Sequence, residues 1–362
     1  MMLQQGKDLY QKHRKWVPAA FFLLGFAFDA IMLRRIDEPI VLFQQAGYLL
    51  FCAVLISTEF VRDAGAITLS PRWLKFWKYR DPAVEFMLGT LLNSYTIFYF
   101  KSASAFTSLF FIAFLVTLLI IKEFKHFGES QSLLHMSLLS LCVVSYCVSL
   151  VPILLGFIGL LSFVGSIALS CVLLSLVYLS MRKKLAAQPE LLKKKVLYPF
   201  AAVPAAFVLL YFAQLIPPVP LSISYMGVFH DIKKEGDQYQ LLYSRPFWKF
   251  WQHGDQSFSA RPGDVVNCFV RIYTPTRFKD QLQVRWSYYD PKRGWQSTDS
   301  IPMPISGGRE EGYRGVTKKT NYQPGEWRVL VETMDNREIG RIRFNVTTDE
   351  SVDSRSFSSL TQ

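Results

Sequence analysis

The chain has 362 residues, 51% of them hydrophobic, and a mean hydropathy of +0.19, which is long enough for two folding units and too apolar for a wholly soluble protein. A formal charge of +12 points at first to nucleic acid, but 20 basic and 11 acidic residues precede Ser222 whereas 20 and 17 lie from Ser222 onward. The surplus therefore belongs to loops that flank apolar runs, and nucleic acid is excluded as a partner.

Residues 1–15 are basic and lead into an apolar stretch that Asp29 interrupts, with no convincing small-x-small cleavage site, so they read as the cytoplasmic start of a retained signal anchor. Seven apolar runs follow, at 16–33, 39–58, 83–100, 103–121, 133–155, 157–180 and 197–216, each near the roughly 20 residues that a helix needs to cross about 30 Å. Between Leu133 and Met181 there is no charge apart from a possible one on His135, and a turn at Pro152, Gly156 and Gly159 divides that length into two helices. Every second gap is basic. Lys7, Lys12, Arg14 and Lys15, then Arg62, Arg72, Lys75, Lys78 and Arg80, then Lys122 and Lys125, then Arg182, Lys183, Lys184, Lys193, Lys194 and Lys195 all fall on one side, 17 in number, against Arg34, Arg35 and Lys101 on the other. This bias places the N-terminus in the cytoplasm, and an odd number of crossings exports the C-terminus.

Ionisable groups in hydrocarbon are expensive and usually have a role, which makes Asp29, Glu59, Glu85, Asn93 and His135 the intramembrane candidates. Glu59, Glu85 and His135 fall at the cytoplasmic ends of their runs, where side chains reach headgroups, and Asn93 alone lies near a midplane. Interfacial and helix-joining roles are expected of this set, ahead of a lipid or ion pathway. Four of the five cysteines, Cys52, Cys142, Cys147 and Cys171, sit in apolar runs as small hydrophobes, which leaves Cys268 without a disulfide partner in its own domain.

A stiff tether at 217–221, Pro217-Pro218-Val219-Pro220 in its centre, introduces a different material. From 222 to 347 strand signals alternate with period two: Ser224 to Ile232 and Gln238 to Ser244 around a hairpin turn at 233–237, then Val266 to Ile272, Leu282 to Tyr288, Trp327 to Val331, and Ile342 to Val346. Seven or eight such strands with one wet face each predict an antiparallel β-sandwich of immunoglobulin-like size, with Trp286 and Trp327 at its centre. Residues 348–362 are rich in Ser, Thr and Asp and read as a disordered tail.

Two segments of this half carry binding chemistry. The loop 307–315, with Arg309 and Arg314 among glycines and Lys318 beyond, has the donors to grip an anion such as a phosphate or uronate, or is a solvated hairpin loop neutralised by Glu310 and Glu311. The cluster Phe247-Trp248-Lys249-Phe250-Trp251 suits a membrane interface or the base of the sandwich better than a sugar, and Trp248 and Trp251 are its candidate contacts. His230, Asp231, His253, Asp255 and Cys268 match no zinc or calcium spacing. No P-loop and no nucleophile elbow occurs, so no catalytic residue, metal or cofactor is assigned.

The run Cys268-Phe-Val-Arg-Ile-Tyr, followed by Val-Arg-Trp-Ser-Tyr-Tyr (284–289), Pro-Gly-Glu-Trp-Arg-Val (324–329) and Ile-Gly-Arg-Ile-Arg-Phe (339–344), resembles the bacterial domain of unknown function 2914 family over the last third of the chain, in the subset with a multi-span N-terminal region. That resemblance implies a Gram-negative envelope protein and brings no activity or site residues. The whole reads as a polytopic α-helical membrane domain of about seven helices (16–216) followed by an all-β immunoglobulin-like sandwich (222–347). Its expected role is a periplasmic binding or scaffolding module, anchored in the inner membrane, for an envelope protein or an anionic glycan or lipid. The alternative is a transporter or lipid-modifying membrane enzyme with the sandwich as accessory. An alkaline phosphatase fused after Gln362 should be active in intact cells; a silent fusion of normal abundance contradicts the topology.

Overall fold

The computed structural model describes Leu24 and residues 37–102, 131–308, 311–351 and 353–362. The expected spans 16–33, Leu24 apart, and 103–121, with Asp29, lie outside the described residues, and so does Arg309. The chain divides into two compact units, one of helices and one that is mainly Pro217–Gln362.

The helical unit contains α1 (Pro39–Asp63), α2 (Pro71–Trp77), α3 (Arg80–Lys101), α4 (Gln131–Leu155), α5 (Leu160–Arg182) and α6 (Pro189–Phe212). Pro39 opens α1 in its first turn, where a missing N–H costs nothing. Gln45, Leu49, Cys52, Ile56 and Glu59 follow at spacings of four and three, which lines them up on one buried stripe. The other faces of α1 expose Ile40, Phe43, Leu50, Phe51 and Val54. Polar residues inside and apolar residues outside is the arrangement that an apolar solvent selects. In α6 a π-helical turn at Lys193–Leu197 precedes Pro199, whose ring has no N–H to return to the preceding turn, so the wider turn takes up the mismatch. A serine stripe on α5, Ser162, Ser166 and Ser170, is buried, and Phe163 stacks on Tyr211 of α6 with ring centroids 3.9 Å apart.

Four helices, not seven, are long and apolar enough to cross a membrane among the described residues: α1, α4, α5 and α6, matching the second, fifth, sixth and seventh expected spans. The third expected span is a helix, α3, but it spends its length on Glu85, Thr90, Asn93, Ser94, Tyr95 and Tyr99, all buried. It is therefore an interior helix whose polar residues face neighbours. No residue of α2 is buried.

In the second unit, β1 (Ser222–Phe229), β5 (Val266–Tyr273) and β8 (Tyr313–Lys319) form an antiparallel sheet in the order β1-β5-β8. The strands β4 (Ser257–Ala260), β6 (Lys279–Asp290), β7 (Gly294–Ser306), β9 (Gly325–Thr333) and β10 (Glu338–Thr348) form a second in the order β4-β10-β9-β6-β7, with β4 parallel to β10 and the other pairs antiparallel. Cys268, Val270 and Ile272 of the first sheet meet Trp286, Val329 and Phe344 of the second in one core. Trp286 is fully buried and its ring meets Phe344 edge-on at 6.1 Å, while Trp327 is also buried and its Nε1 donates to the Gln323 carbonyl at 2.8 Å. The expected tryptophan centre is therefore present. At the edge of the larger sheet, Pro302 and Pro304 of β7 lie opposite Gln283 and Gln281 of β6.

The expectation of seven or eight strands with one wet face each does not hold, because a third sheet is present. It consists of β2 (Asp231–Glu235), β3 (Gln238–Tyr243) and β11 (Ser358–Thr361), ordered β11-β3-β2, which brings the described strands to eleven. Phe229, Leu241 and Phe269 form a second small core, so β5 is dry on both faces. The hairpin foreseen around 233–237 is tighter than expected, since Lys233, Lys234 and Glu235 belong to β2 and the turn is Gly236 and Asp237, with Gly236 at φ +62°.

The tail expected to be disordered is also ordered where it is described. β11 pairs with β3 from Ser358↔Tyr243 to Thr361↔Gln240. Arg261 donates from Nε to Asp349 (2.7 Å), from Nη1 to the Asp353 carbonyl (2.7 Å) and from Nη2 to Ser351 Oγ (2.8 Å). Arg355 grips Asp264 with both Nη atoms, at 2.7 and 2.8 Å. Composition alone reads as disorder here because the partners are some ninety residues away.

Replacing Trp286 by Ala should remove about 3–5 kcal/mol of stability from this unit, since so large a void at the centre of two sheets cannot close. Urea unfolding of the full chain followed by tryptophan fluorescence measures it, and a loss under 1 kcal/mol contradicts the assigned core.

Candidate functional site

Three helices converge on a buried ion cluster. Glu59 comes from the last turns of α1, Arg80 and Glu85 from the first turns of α3, and His135 from the second turn of α4. Arg80 Nη2 lies 2.7 Å from Glu59 Oε1. His135 Nδ1 lies 3.5 Å from Glu59 Oε2 and its Nε2 lies 3.6 Å from Glu85 Oε1. Glu59, Glu85 and His135 are 7%, 3% and 1% exposed, so these side chains do not reach for headgroups as their end positions led one to expect. They turn inward and join helices. Asn93 is fully buried but lies two turns beyond Glu85 on α3, about 12 Å along the axis at 1.5 Å per residue. Arg80, counted from sequence among the orienting loop charges, is the member that sequence reasoning missed. Its position immediately before an apolar run that itself holds Glu85 was the only signal.

The aromatic loop has the opposite character. Phe247, Trp248, Phe250 and Trp251 are 95%, 54%, 79% and 59% exposed. Their backbone is nonetheless held: Arg245 Nη1 donates to the carbonyls of Lys249 and Gln252, and the Lys249 and Gln252 N–H groups close short turns onto Pro246 and Lys249. The loop is anchored at Gly254 (φ +72°), where a Cβ would stand 2.0 Å from the Val228 carbonyl oxygen. Trp248 and Trp251 lie 6.1 Å apart, with Lys249 Nζ 5.3 Å from the Trp248 ring centroid. A fixed loop thus presents four large rings to solvent, which a monomeric surface seldom tolerates without a use.

Of the loop at 307–315, the described Arg314 is engaged inside the protein, donating to the Asp237 carbonyl and to Glu311, and Arg271 lies 4.0 Å from Glu311. Lys318 is exposed on β8 opposite Asn267, and nothing brings it to Arg314. A basic stripe missed from sequence lies instead on the larger sheet, where Arg328 and Arg343 are cross-strand partners and both cover Trp295, at 4.4 and 5.6 Å.

A polar cluster lies beneath the tail. His230 Nε2 is 3.6 Å from Asp255 Oδ2 and 3.5 Å from Ser244 Oγ, and its Nδ1 is 3.9 Å from Asp264 Oδ2. Its ring stacks on Phe258 at 4.1 Å and faces Phe357 of the tail at 5.1 Å. Burial, reinforced by Arg355, pushes the His230 imidazole down to about 4 against the pull of Asp264. Burial pushes the Asp255 carboxyl up to about 6 even though Ser244 donates to it from N and Oγ. For Asp264 burial also acts upward, but the Arg355 pair and the Arg261 N–H win and hold it below its ordinary value. His230 and Asp255 figured in the sequence only as conceivable metal ligands. Among the described residues no group of three or more His, Cys, Asp and Glu is placed to hold a metal ion.

The two shifts act oppositely on stability. The folded state holds less proton on His230 than the unfolded chain between about 4 and the ordinary 6.5, so acid weakens the fold through it. It holds more on Asp255 between 3.8 and about 6, so acid strengthens the fold through that group. His230→Phe should therefore gain stability relative to the native chain as pH falls from 7 to about 4, read from urea midpoints at a series of pH values; a difference independent of pH contradicts the assignment.

Residues 279–346, from β6 to near the end of β10, match the family model described as Protein of unknown function (DUF2914). No curated protein matches the chain. Solved structures similar to part of it include an immunoglobulin-like protein from Pseudomonas aeruginosa, 15% identical, covering 32% of this chain and 97% of that one with a TM-score of 0.20. A β-glucosidase from Listeria innocua is 14% identical over 33% of this chain with a TM-score of 0.20, and the chain spans only 17% of that enzyme's length. A β-glucosidase from Kluyveromyces marxianus is 11% identical over 43% of this chain and 17% of its own, with a TM-score of 0.18. The C-terminal third thus carries the DUF2914 sequence pattern, and the chain as a whole joins apolar helices to a β module.

Proposed function

We propose that the chain is a multi-pass protein of a bacterial inner membrane that holds a periplasmic immunoglobulin-like β-sandwich as a binding or scaffolding module for an envelope partner, with no catalysis of its own. A cytoplasmic N-terminus and an exported C-terminus are the orientation that the basic loops support. The observation that carries the reading is the aromatic shelf at 247–251, exposed yet fixed by Arg245. Amphipathic rings beside Lys249 suit the boundary between headgroups and water. Residues 217–221, expected to be an extended spacer, are instead buried and turned, with the Leu221 N–H on the Pro218 carbonyl and Leu221 in the β core. With the shelf on lipid, the Arg328, Arg343 and Trp295 face is left for an anionic glycan, lipid or protein surface.

A second reading, a transporter or lipid-modifying membrane enzyme with the β module as accessory, is favoured by one observation, the buried cluster of Glu59, Arg80, Glu85 and His135. The shelf separates the two. In proteoliposomes of the full chain with brominated lipids, replacing Trp248 and Trp251 by Phe should lower the fraction of tryptophan fluorescence that the lipid quenches. Unchanged quenching removes the support for bilayer contact.

A further inference from the structure

We propose that Arg328 and Arg343, cross-strand partners over the Trp295 ring, form a binding site for the phosphate of an anionic phospholipid. The proposal deepens the reading of the aromatic shelf as a bilayer contact and rests on it. Trp327, Val329, Ile342 and Phe344 point into the core, so alternation puts both arginines on the outer face of the larger sheet. There Arg343 stands directly opposite Arg328, and their guanidinium carbons lie 5.6 and 4.4 Å from the Trp295 ring centroid. Like charges in directly opposed positions destabilise a sheet. The chain nonetheless holds these two together, with one indole as a common support that restrains both side chains.

The carboxylates around the pair do not neutralise it. Glu332 faces Arg285 at 2.9 Å, and Glu338 is taken by Arg341. Glu326 lies on the same face two residues before Arg328, and among the described residues neither Arg328 nor Arg343 closes an ion pair with it or with any other acid. Arg328 Nε is shut off from water and has no hydrogen-bonding partner among the described residues. Burial first, then the like charges of Arg341 and Arg343, hold the Arg328 guanidinium below its ordinary value against the pull of Glu338 and Glu332. An anion seated between the two guanidiniums removes that repulsion. Each offers N–H donors in a planar fork that matches two oxygens of a phosphate.

The position of the pair selects the source of the phosphate. Gln256 donates from Nε2 to the Arg343 carbonyl at 3.1 Å and accepts from the Asn345 N–H at 2.8 Å. Gln256 is five residues from Trp251, at most about 18 Å at 3.6 Å per residue, so the arginines and the exposed rings share one margin of the β module. Rings that sit between headgroups and water bring a neighbouring cationic pair to the layer where lipid phosphates lie. Lipids of net negative charge satisfy both guanidiniums, whereas a zwitterionic headgroup carries a cation of its own that competes with them.

The full chain in nanodiscs of equal parts phosphatidylglycerol and phosphatidylcholine tests this, with bromine carried by one lipid or by the other. Brominated phosphatidylglycerol should quench tryptophan fluorescence more than brominated phosphatidylcholine does. Replacing Arg328 and Arg343 by Gln should remove at least half of that difference, and Arg343→Gln alone, at the more exposed side chain, should already lower it. Arg341→Gln, whose guanidinium Glu338 holds, should keep it, and so should the native chain with glycerol phosphate added at the concentration of the lipid. No difference in the native chain overturns the site, as does a difference that survives the double replacement, falls equally in Arg341→Gln, or is abolished by glycerol phosphate. The shelf is judged separately, by quenching from brominated phosphatidylcholine in the chain with Trp248 and Trp251 replaced by Phe. If that quenching falls while the lipid preference survives loss of the arginines, the arginine site fails and the shelf reading stands.

Discussion

A charge taken out of water must bring its counter-charge, and in both units that requirement decides which elements touch. In the helices, Glu59 at the end of α1 has Arg80 of α3 on one oxygen and His135 of α4 on the other, so one carboxylate ties three segments. In the strands, Arg355 cannot close its two bonds to Asp264 unless the tail crosses back over β4. Lys319, almost wholly buried at the end of β8, is paired with Asp299 of β7 and lies over the Trp327 ring at 5.2 Å. Apolar burial supplies most of the free energy of such a fold, but it is not directional. The pairs choose among the arrangements that burial alone would allow.

The strands of the central core were legible because period two survives wherever one face is dry: Leu282, Val284, Trp286 and Trp327, Val329, Val331 point to the core as the alternation required. The third sheet was not, since β5 has a second dry face only because Phe229 and Leu241 cover Phe269, and no local pattern announces a partner thirty residues away. The tail was misread for the same reason. Its Ser and Asp are polar by composition but ordered by Arg261, which no window around residue 350 contains. In the helices, hydropathy found α1, α4, α5 and α6, and the interior character of α3 was hidden because a run of apolar residues looks the same whether lipid or protein lies beside it.

The candidate sites show the same division. Glu59, Glu85 and His135 could each be named from sequence as costly, but that they share one point depends on α1 running opposite to α3 and α4. Arg314 has the chemistry of an anion ligand, and in the fold it meets the Asp237 carbonyl and Glu311, neighbours brought by the β2–β3 turn and by its own loop. The aromatic loop kept its chemistry because Arg245 uses its guanidinium on backbone carbonyls and leaves the rings exposed.

The two prolines of β7 carry a consequence for recognition. Pro302 and Pro304 occupy alternate positions on an outer strand, and a residue without an N–H fits a paired strand only where that bond would have pointed away from its neighbour. The stretch at 302–304 consequently offers no outward N–H to an added strand, which discourages a guest chain or a second copy from pairing there. Whatever docks along that flank has to read side chains, which makes selectivity there a matter of shape and charge and leaves backbone mimicry no foothold.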